Sequence, residues 1–460
     1  MIKIRSLLLL VFLCYVPGEL FSMHSHCLMP KNQESNAKEK TLTPSKNSAN
    51  SQLFYFGSKQ KLTKGTLIDS QLIYDSNVGY GFDFNTAQNI QINNTAFIAE
   101  KPTYFSVKLL EGNYKVKITM GSEDKETNIT IKAESRRLMV GELSIKKGSQ
   151  VTKTFNVNVR TPKIDGTTVI NLKDREIGEL NWDNKLTLEF LGVVAIQNIE
   201  IIPIKDVTTV FLAGDSTVTD QDLEPWASWG QLITQYFNED VVIANYAASG
   251  ESLSSFKARG RLQKILSVIK SGDYMIIEFG HNDEKLKGEG NGPWQSYSDL
   301  LTEFIQTARE KGAIPILVTP TQRRFFNENG TLKPTHGDFP DAMRSVAKKL
   351  NVPLIDVTQM STQLYESWGD EMSRNAFVQY PANTFPGQDK ALDDNTHFNS
   401  FGANEISLCV IKGIRDLTIP LKHYITKQIP SSYNPKKPNS ISTWTLPMSS
   451  RFEIVKPDGN

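Results

Sequence analysis

Cysteine is scarce in this 460-residue chain: Cys14, Cys27 and Cys409 are all it has. Two of them lie near the N-terminus and one far downstream, so no disulfide framework can be drawn. Cys409, in a late helical pattern, reads as a small core hydrophobe. Excess charge of either sign is missing too. The formal net charge is +1, which supplies no electrostatic reason for a nucleic-acid or anionic-membrane partner. The six histidines (His24, His26, His281, His336, His397 and His423) are scattered, and no zinc-ligand spacing occurs among them. Long apolar runs are nearly absent. The exception is residues 7–16, which follow Lys3 and Arg5 in the manner of a secretory signal peptide and are too few to span a bilayer. Val-Phe-Leu before Cys14 lacks the small residues that lipid attachment normally follows, so no lipid anchor is expected. The expectation is a secreted or periplasmic protein with no membrane insertion once residues 1–22 are removed.

What the chain does have is two successive periodicities. Residues 23–50, rich in Lys, Asn, Ser, Glu and Thr, bury too little to offset the entropy of ordering and read as a flexible leader. From 51 to 205 the period is two. Tyr114, Val116, Ile118 and Met120 alternate with Lys115, Lys117 and Thr119, and similar alternation recurs at Phe105, Val107 and Leu109, at Leu186, Leu188 and Phe190, and at Ile199 and Ile201. No amphipathic helix of useful length interrupts it, which predicts an all-β sandwich.

From 206 to 420 strands and helices alternate. Apolar runs at 207–213, 241–246, 274–279, 314–319 and 353–357 predict five strands. Helices are predicted through Trp229, Leu232, Ile233, Tyr236 and Phe237, through Leu262 to Ile269, and over 301–308, 341–350 and 401–414. Such alternation gives an α/β domain with a parallel sheet covered on both faces. Residues 369–394 read as a long irregular loop, and 421–460, rich in Pro and Ser, as a tail laid over one of the domains.

Three predicted strand ends carry polar residues that a core would not choose. They are Gly214-Asp215-Ser216, then Ser249-Gly250-Glu251, then Gly280-His281-Asn282-Asp283. In an open α/β sheet these ends share one rim, where ligands bind. Gly-Asp-Ser alone is as good a turn as a site. Far downstream, Asp394 precedes His397 by three residues; in a turn, such a carboxylate reaches Nδ1 and leaves Nε2 free to take a proton. Together these residues assemble a Ser, His, Asp set.

With those blocks in order, residues 207–414 resemble the SGNH (GDSL-type) hydrolases, and within them the rhamnogalacturonan acetylesterases. Gly214-Asp215-Ser216 matches the first block, Gly250 the second, Gly280 to Asp283 the third and Asp394 to His397 the last. Glu251 departs from the pattern, since many relatives carry arginine after the second-block glycine. The resemblance implies a flavodoxin-like three-layer fold preceded by a jelly-roll sandwich. It implies Ser216 as nucleophile, His397 as base and Asp394 as its orienting carboxylate. Ser216, Gly250 and Asn282 would form the oxyanion hole, with Asp215 and Gly280 in support and no cofactor or metal. The implied partner is an acetylated polysaccharide or oligosaccharide. Trp226 and Trp229 read equally as core or as sugar platforms. Gly79-Tyr80-Gly81-Phe82-Asp83-Phe84 is similar to a segment of galactose-binding-like accessory modules, which leaves the sandwich as a sugar-binding module or a structural partner. Acetylated xylan or another glycan, a lipid ester, and a non-catalytic glycan-binding surface protein stand as alternative readings.

Overall fold

The computed structural model describes residues 51–58, 64–427 and 433–459, all within one compact unit. The expected signal peptide and leader, with Cys14 and Cys27, lie outside the described residues. Among the described residues, no helix is long and apolar enough to cross a membrane.

The N-terminal half is built around one 20-residue strand, Lys185–Ile204. Its first part pairs antiparallel with Thr103–Lys108 on one side and Thr127–Ala133 on the other. From Val194 onward it pairs instead with Phe97–Ala99, Gly112–Met120 and Gln52–Phe56. One strand therefore belongs to both layers of the sandwich. The alternation at Leu186 to Phe190 and at Ile199 to Ile201, which reads as two strands, is a single bent one. Gly192 makes the bend possible: its φ is +93°, and a Cβ there would lie 2.1 Å from the Asn128 carbonyl oxygen. The register shift at Gln197 adds a further irregularity. Between the layers Phe54, Phe56, Phe82, Phe97 and Phe105 pack largely edge to face, an arrangement favoured by the ring quadrupole.

The second half holds a five-stranded, all-parallel sheet in the order Val241–Asn245, Thr208–Gly214, Tyr274–Glu278, Ile314–Val318, Leu354–Ile355. Alternate residues of Thr208–Gly214 face opposite layers. Val210 and Leu212 join a core shared with the helices Val357–Ser373 and Ser400–Asp416. Phe211 and Ala213 join another, with Leu253–Ala258, Arg261–Val268, Ser298–Glu310 and Phe339–Leu350. Because the chain leaves Thr208–Gly214 first to one side and then to the other, the crevice opens at the end of that strand. Cys409 is buried in the first of these cores.

Three segments differ from their sequence reading. The helix expected from Trp229 to Phe237 is α-helical only over Trp229–Leu232 and tightens to 3₁₀ over Ile233–Tyr236, a winding that brings the Thr234 hydroxyl onto the Leu138 carbonyl at 2.7 Å. The fifth strand is only Leu354–Ile355, because Asp356 caps the following helix by accepting from the Gln359 N–H. Residues 369–394 are not a loop. After a break in the helix Val357–Ser373 at Gly369, where φ is +74°, they contain a last short helical piece and the strand Phe377–Tyr380, which pairs antiparallel with Leu392–Phe398.

The two halves meet through buried charge. The turn after Thr127–Ala133 inserts Ser135, Arg136 and Arg137 beneath the segment that follows Ser216. Arg137 reaches Asp220 at 2.6 Å, Arg136 pairs with Glu224 and donates to the carbonyls of Gln221 and Trp226, and the Ser135 hydroxyl donates to Asp222. Glu134 and Arg136 sit at φ of +55° and +61°, a backbone cost that this clamp offsets. The described part of 421–460 spans both halves: the Ser449 hydroxyl donates to Glu189 of the sandwich, and Asn439 and Tyr433 donate to Glu405 of the last helix.

Candidate active site

Ser216 stands two residues past Thr208–Gly214. Asp215 shapes the turn: one carboxylate oxygen accepts from the Thr217 N–H (3.0 Å) and hydroxyl (2.9 Å), while its own carbonyl accepts from Val218 and Thr219. Gln221 then donates to the Ser216 carbonyl at 2.8 Å, fixing the backbone of the serine itself.

Asp394 and His397 come from the strand Leu392–Phe398, not from a free turn. Opposite its partner, this strand runs six residues, from Asp393 to Phe398, against three, from Phe377 to Gln379. The surplus forms a bulge wrapped over the Asp394 carboxylate. One oxygen accepts the N–H groups of Thr396 (2.7 Å) and His397 (3.0 Å), and the other meets His397 Nδ1 at 2.7 Å. The bulge thus supplies within a strand the geometry that the Asp-x-x-His spacing requires. His397 Nε2 lies 2.9 Å from Ser216 Oγ, and the Trp226 ring stands edge-on to the imidazole with centroids 5.8 Å apart. The structure brings Ser216, His397 and Asp394 into one hydrogen-bonded line.

Electrostatics decide the direction of that line. Burial alone would push the Asp394 carboxyl up, but the hydrogen bond and charge of His397 and two backbone N–H donors outweigh it and hold it down at about 2. An ionised Asp394 can only accept, so the proton sits on Nδ1 and Nε2 presents its lone pair to the Ser216 hydroxyl.

The other rim residues lie on the far side of Ser216. Gly250 has φ of +78°, which favours glycine. Gly280 lies so close to Pro320 that a Cβ would come within 2.8 Å of its ring. The Asn282 amide donates to the Glu251 carbonyl at 3.0 Å and accepts from Lys285 at 3.3 Å. Glu251, wholly buried, is balanced by Lys173 at 2.9 Å and Arg259 at 3.3 Å. His281 is buried with Nδ1 3.4 Å from Asp215, and burial lowers it to about 4, so its ring is neutral. Trp229 is core, and its indole N–H donates to Glu278.

Several residues around the site carry no sequence signal. Gln221, Glu278 and the sandwich residues Arg137 and Lys173 reach it only through tertiary contacts. Glu278 is pushed up to about 8 by burial and by the charge of Asp215. Its neighbour Thr217 has one hydroxyl hydrogen but lies within reach of both Asp215 (2.9 Å) and Glu278 (3.1 Å); a proton held by Glu278 removes that conflict. Among the described residues, no three His, Cys, Asp or Glu side chains converge as metal ligands.

A serine, a histidine and an aspartate joined across the carboxyl end of a 2-1-3-4-5 parallel sheet define a class. The chain belongs to the GDSL-like lipase/acylhydrolase family, which matches residues 212–404, the span that carries all three. Among its relatives it is 46% identical to the rhamnogalacturonan acetylesterase RhgT of Bacillus subtilis (strain 168) over 221 residues, 48% of this chain and 94% of that protein. It is 38% identical to the probable rhamnogalacturonan acetylesterase YesY of the same organism over 225 residues, 48% of this chain and 98% of that one. The crystal structure of Bacillus subtilis YxiM aligns at a TM-score of 0.44 and 22% identity, over 80% of this chain and 99% of that one.

Proposed function

We propose that this protein is an exported serine esterase that removes acetyl groups from plant cell-wall polysaccharide, with rhamnogalacturonan as its substrate. The observation that carries the reading is the line Ser216 Oγ to His397 Nε2 (2.9 Å) and His397 Nδ1 to Asp394 (2.7 Å). The names of the relatives RhgT and YesY support the substrate, and residues 1–22 support export.

In this scheme Ser216 Oγ attacks the acetyl carbonyl carbon as His397 Nε2 takes its proton, and Asp394 stabilises the imidazolium. The sugar C–O–acyl bond breaks at the carbonyl carbon, and the departing sugar oxygen takes the proton from His397. Water then attacks the acetyl-Ser216 ester with His397 again as base, releasing acetate and returning the proton to Ser216. The backbone N–H groups of Ser216 and Gly250 and the Asn282 amide hold the oxyanion. Each such donor is worth about 3 kcal/mol of barrier. Asp215 and Gly280 support the site by shaping the turns that carry Ser216 and Asn282.

Acetate release from acetylated rhamnogalacturonan, compared with acetylated xylan and with a long-chain lipid ester, tests the assignment. Wild type should release acetate fastest from rhamnogalacturonan, and Ser216→Ala should release none. Faster release from xylan would move the substrate, and retained turnover in Ser216→Ala would remove the acyl-enzyme.

A further inference from the structure

The segment 456–459 runs across the site. Lys456 Nζ lies 3.4 Å from Asp394, and Pro457 is buried. Asp458 then places its carboxylate 3.3 Å from Arg175 Nη1 and 3.9 Å from Lys173 Nζ. A Cβ on Gly250 would come within 2.8 Å of the Asp458 Cβ. A Cβ on Gly459 would come within 2.4 Å of Asn282 Oδ1 and 2.6 Å of the Gly250 Cα. The chain's own backbone therefore fills the space against the two residues assigned above, with Ser216, to the oxyanion. Ser216 and His397 are only 3% and 1% exposed. An acetyl ester cannot be seated between Gly250 and Asn282 while Gly459 is there.

The chemistry of the occupant says what it displaces or imitates. Lys173 is shared with the buried Glu251, which Arg259 also approaches, so Arg175 is the nearer and less committed of the two cations that face Asp458. Both cations come from the segment between the strands Val151–Val159 and Lys185–Ile204, that is, from the sandwich half. They offer a carboxylate subsite immediately beside the acyl position. We propose that Lys173 and Arg175 form a subsite for a uronate carboxylate of the substrate, and that Asp458, carried by the segment 456–459, is its built-in occupant. The proposal rests on the acetyl-glycan reading and assigns the residues that would hold a substrate carboxylate. It also makes the substrate a competitor of the chain's own tail.

The contact is built to yield. The Asp458 and Arg175 side chains are 46% and 31% exposed, and exposed ion pairs are weak. What holds the segment is its tether, and a polymer that presents many carboxylates opposes a tether with multivalency of its own.

The test uses the full chain and the variants Asp458→Asn, Arg175→Gln and Arg175→Lys. Binding of an unacetylated oligogalacturonide is read by calorimetry, and kcat/KM is compared on an acetylated uronate-containing oligosaccharide and a neutral acetylated xylo-oligosaccharide. Asp458→Asn should tighten oligogalacturonide binding and raise kcat/KM on the acidic ester by about 3- to 10-fold. Arg175→Gln should weaken that binding and lower the acidic-to-neutral ratio of kcat/KM by about 10-fold, with Arg175→Lys recovering part of both. Oligogalacturonide binding that ignores all three variants would overturn the proposal, as would an equal fall on acidic and neutral esters in Arg175→Gln. Failure to cleave any acetylated glycan would sink the enzyme reading alone, because calorimetry still reports whether Arg175 and Asp458 govern carboxylate binding.

Discussion

On one side of Ser216, Asp394 is 2% exposed and ionised, held at about 2; on the other, Glu278 and Asp283 are 0% and 4% exposed and pushed up to about 8. Burial is the largest influence on all three and pushes each of them up; what opposes or adds to it differs. Asp394 receives two backbone N–H groups and sits against an imidazole that can carry a positive charge. Glu278 receives the Trp229 indole N–H and the Thr321 N–H, yet faces the ionised Asp215. Asp283 receives the Leu253 N–H and faces Asp215 as well. The sign of the nearest charge separates the two sides. The result is a site with negative charge concentrated behind His397, where an imidazolium forms, and charge suppressed beneath the turn that carries Ser216.

The same chemical change on the two sides should therefore give opposite outcomes. Asp394→Asn should lower kcat by about three to four orders of magnitude. The amide can donate to Nδ1 and so leave the proton on Nε2, facing Ser216. A loss under about tenfold in acetate release would mean that the ionised side does not serve the base.

Glu278→Gln probes the protonated side through stability. Folding raises the Glu278 carboxyl from 4.5 to about 8, so the folded state binds the extra proton. That contribution is complete below pH 4.5 and is lost as pH rises through about 8. By pH 7 it has cost the wild type roughly 3 kcal/mol relative to acid. Glutamine carries no such proton, so the fall in unfolding free energy between about pH 5 and 8 should be shallower in the variant. Urea titrations at both ends of that range measure it, and parallel slopes for the two proteins would place Glu278 in its charged form.

The smallest effect belongs to Asp283→Asn. It exchanges one neutral group for another, and kcat/KM at pH 6 should stay within about threefold of wild type. A loss comparable with that of Asp394→Asn would show an ionised Asp283 and erase the contrast between the two sides.

The period-two and strand-helix grammars were enough to read the sandwich and the parallel sheet from residues alone, because apolar spacing is a local property. Where the reading departs from the structure, a local signal meant something else. Gly192 marks a bend inside a strand and not a strand end. Gly369 does break the helix Val357–Ser373, at φ of +74°, but the helical stretch ahead of it is one that apolar spacing does not reveal. Between Val357 and the pair Leu364 and Tyr365 stand Thr358, Ser361 and Thr362, whose hydroxyls bond to the Thr319 to Gln322 segment, so one buried face of that helix is polar. Ser216, Asp394 and His397 were legible because each belongs to a short motif. Lys173, Arg175 and Asp458 were not, since two surface-type cations and a late aspartate gain meaning only when the fold sets them beside Gly250. Glu251, an anomaly in the sequence, is explained by Lys173 and Arg259, which supply the compensating charge from elsewhere in the chain.

Because Arg137 reaches Asp220 from the sandwich and Gln221, the next residue, holds the Ser216 carbonyl, the accessory half is wired to the nucleophile through two side chains. Swapping that half for another module would strand buried carboxylates at Asp220 and Glu224 without their cations. The two halves are thus expected to melt as one.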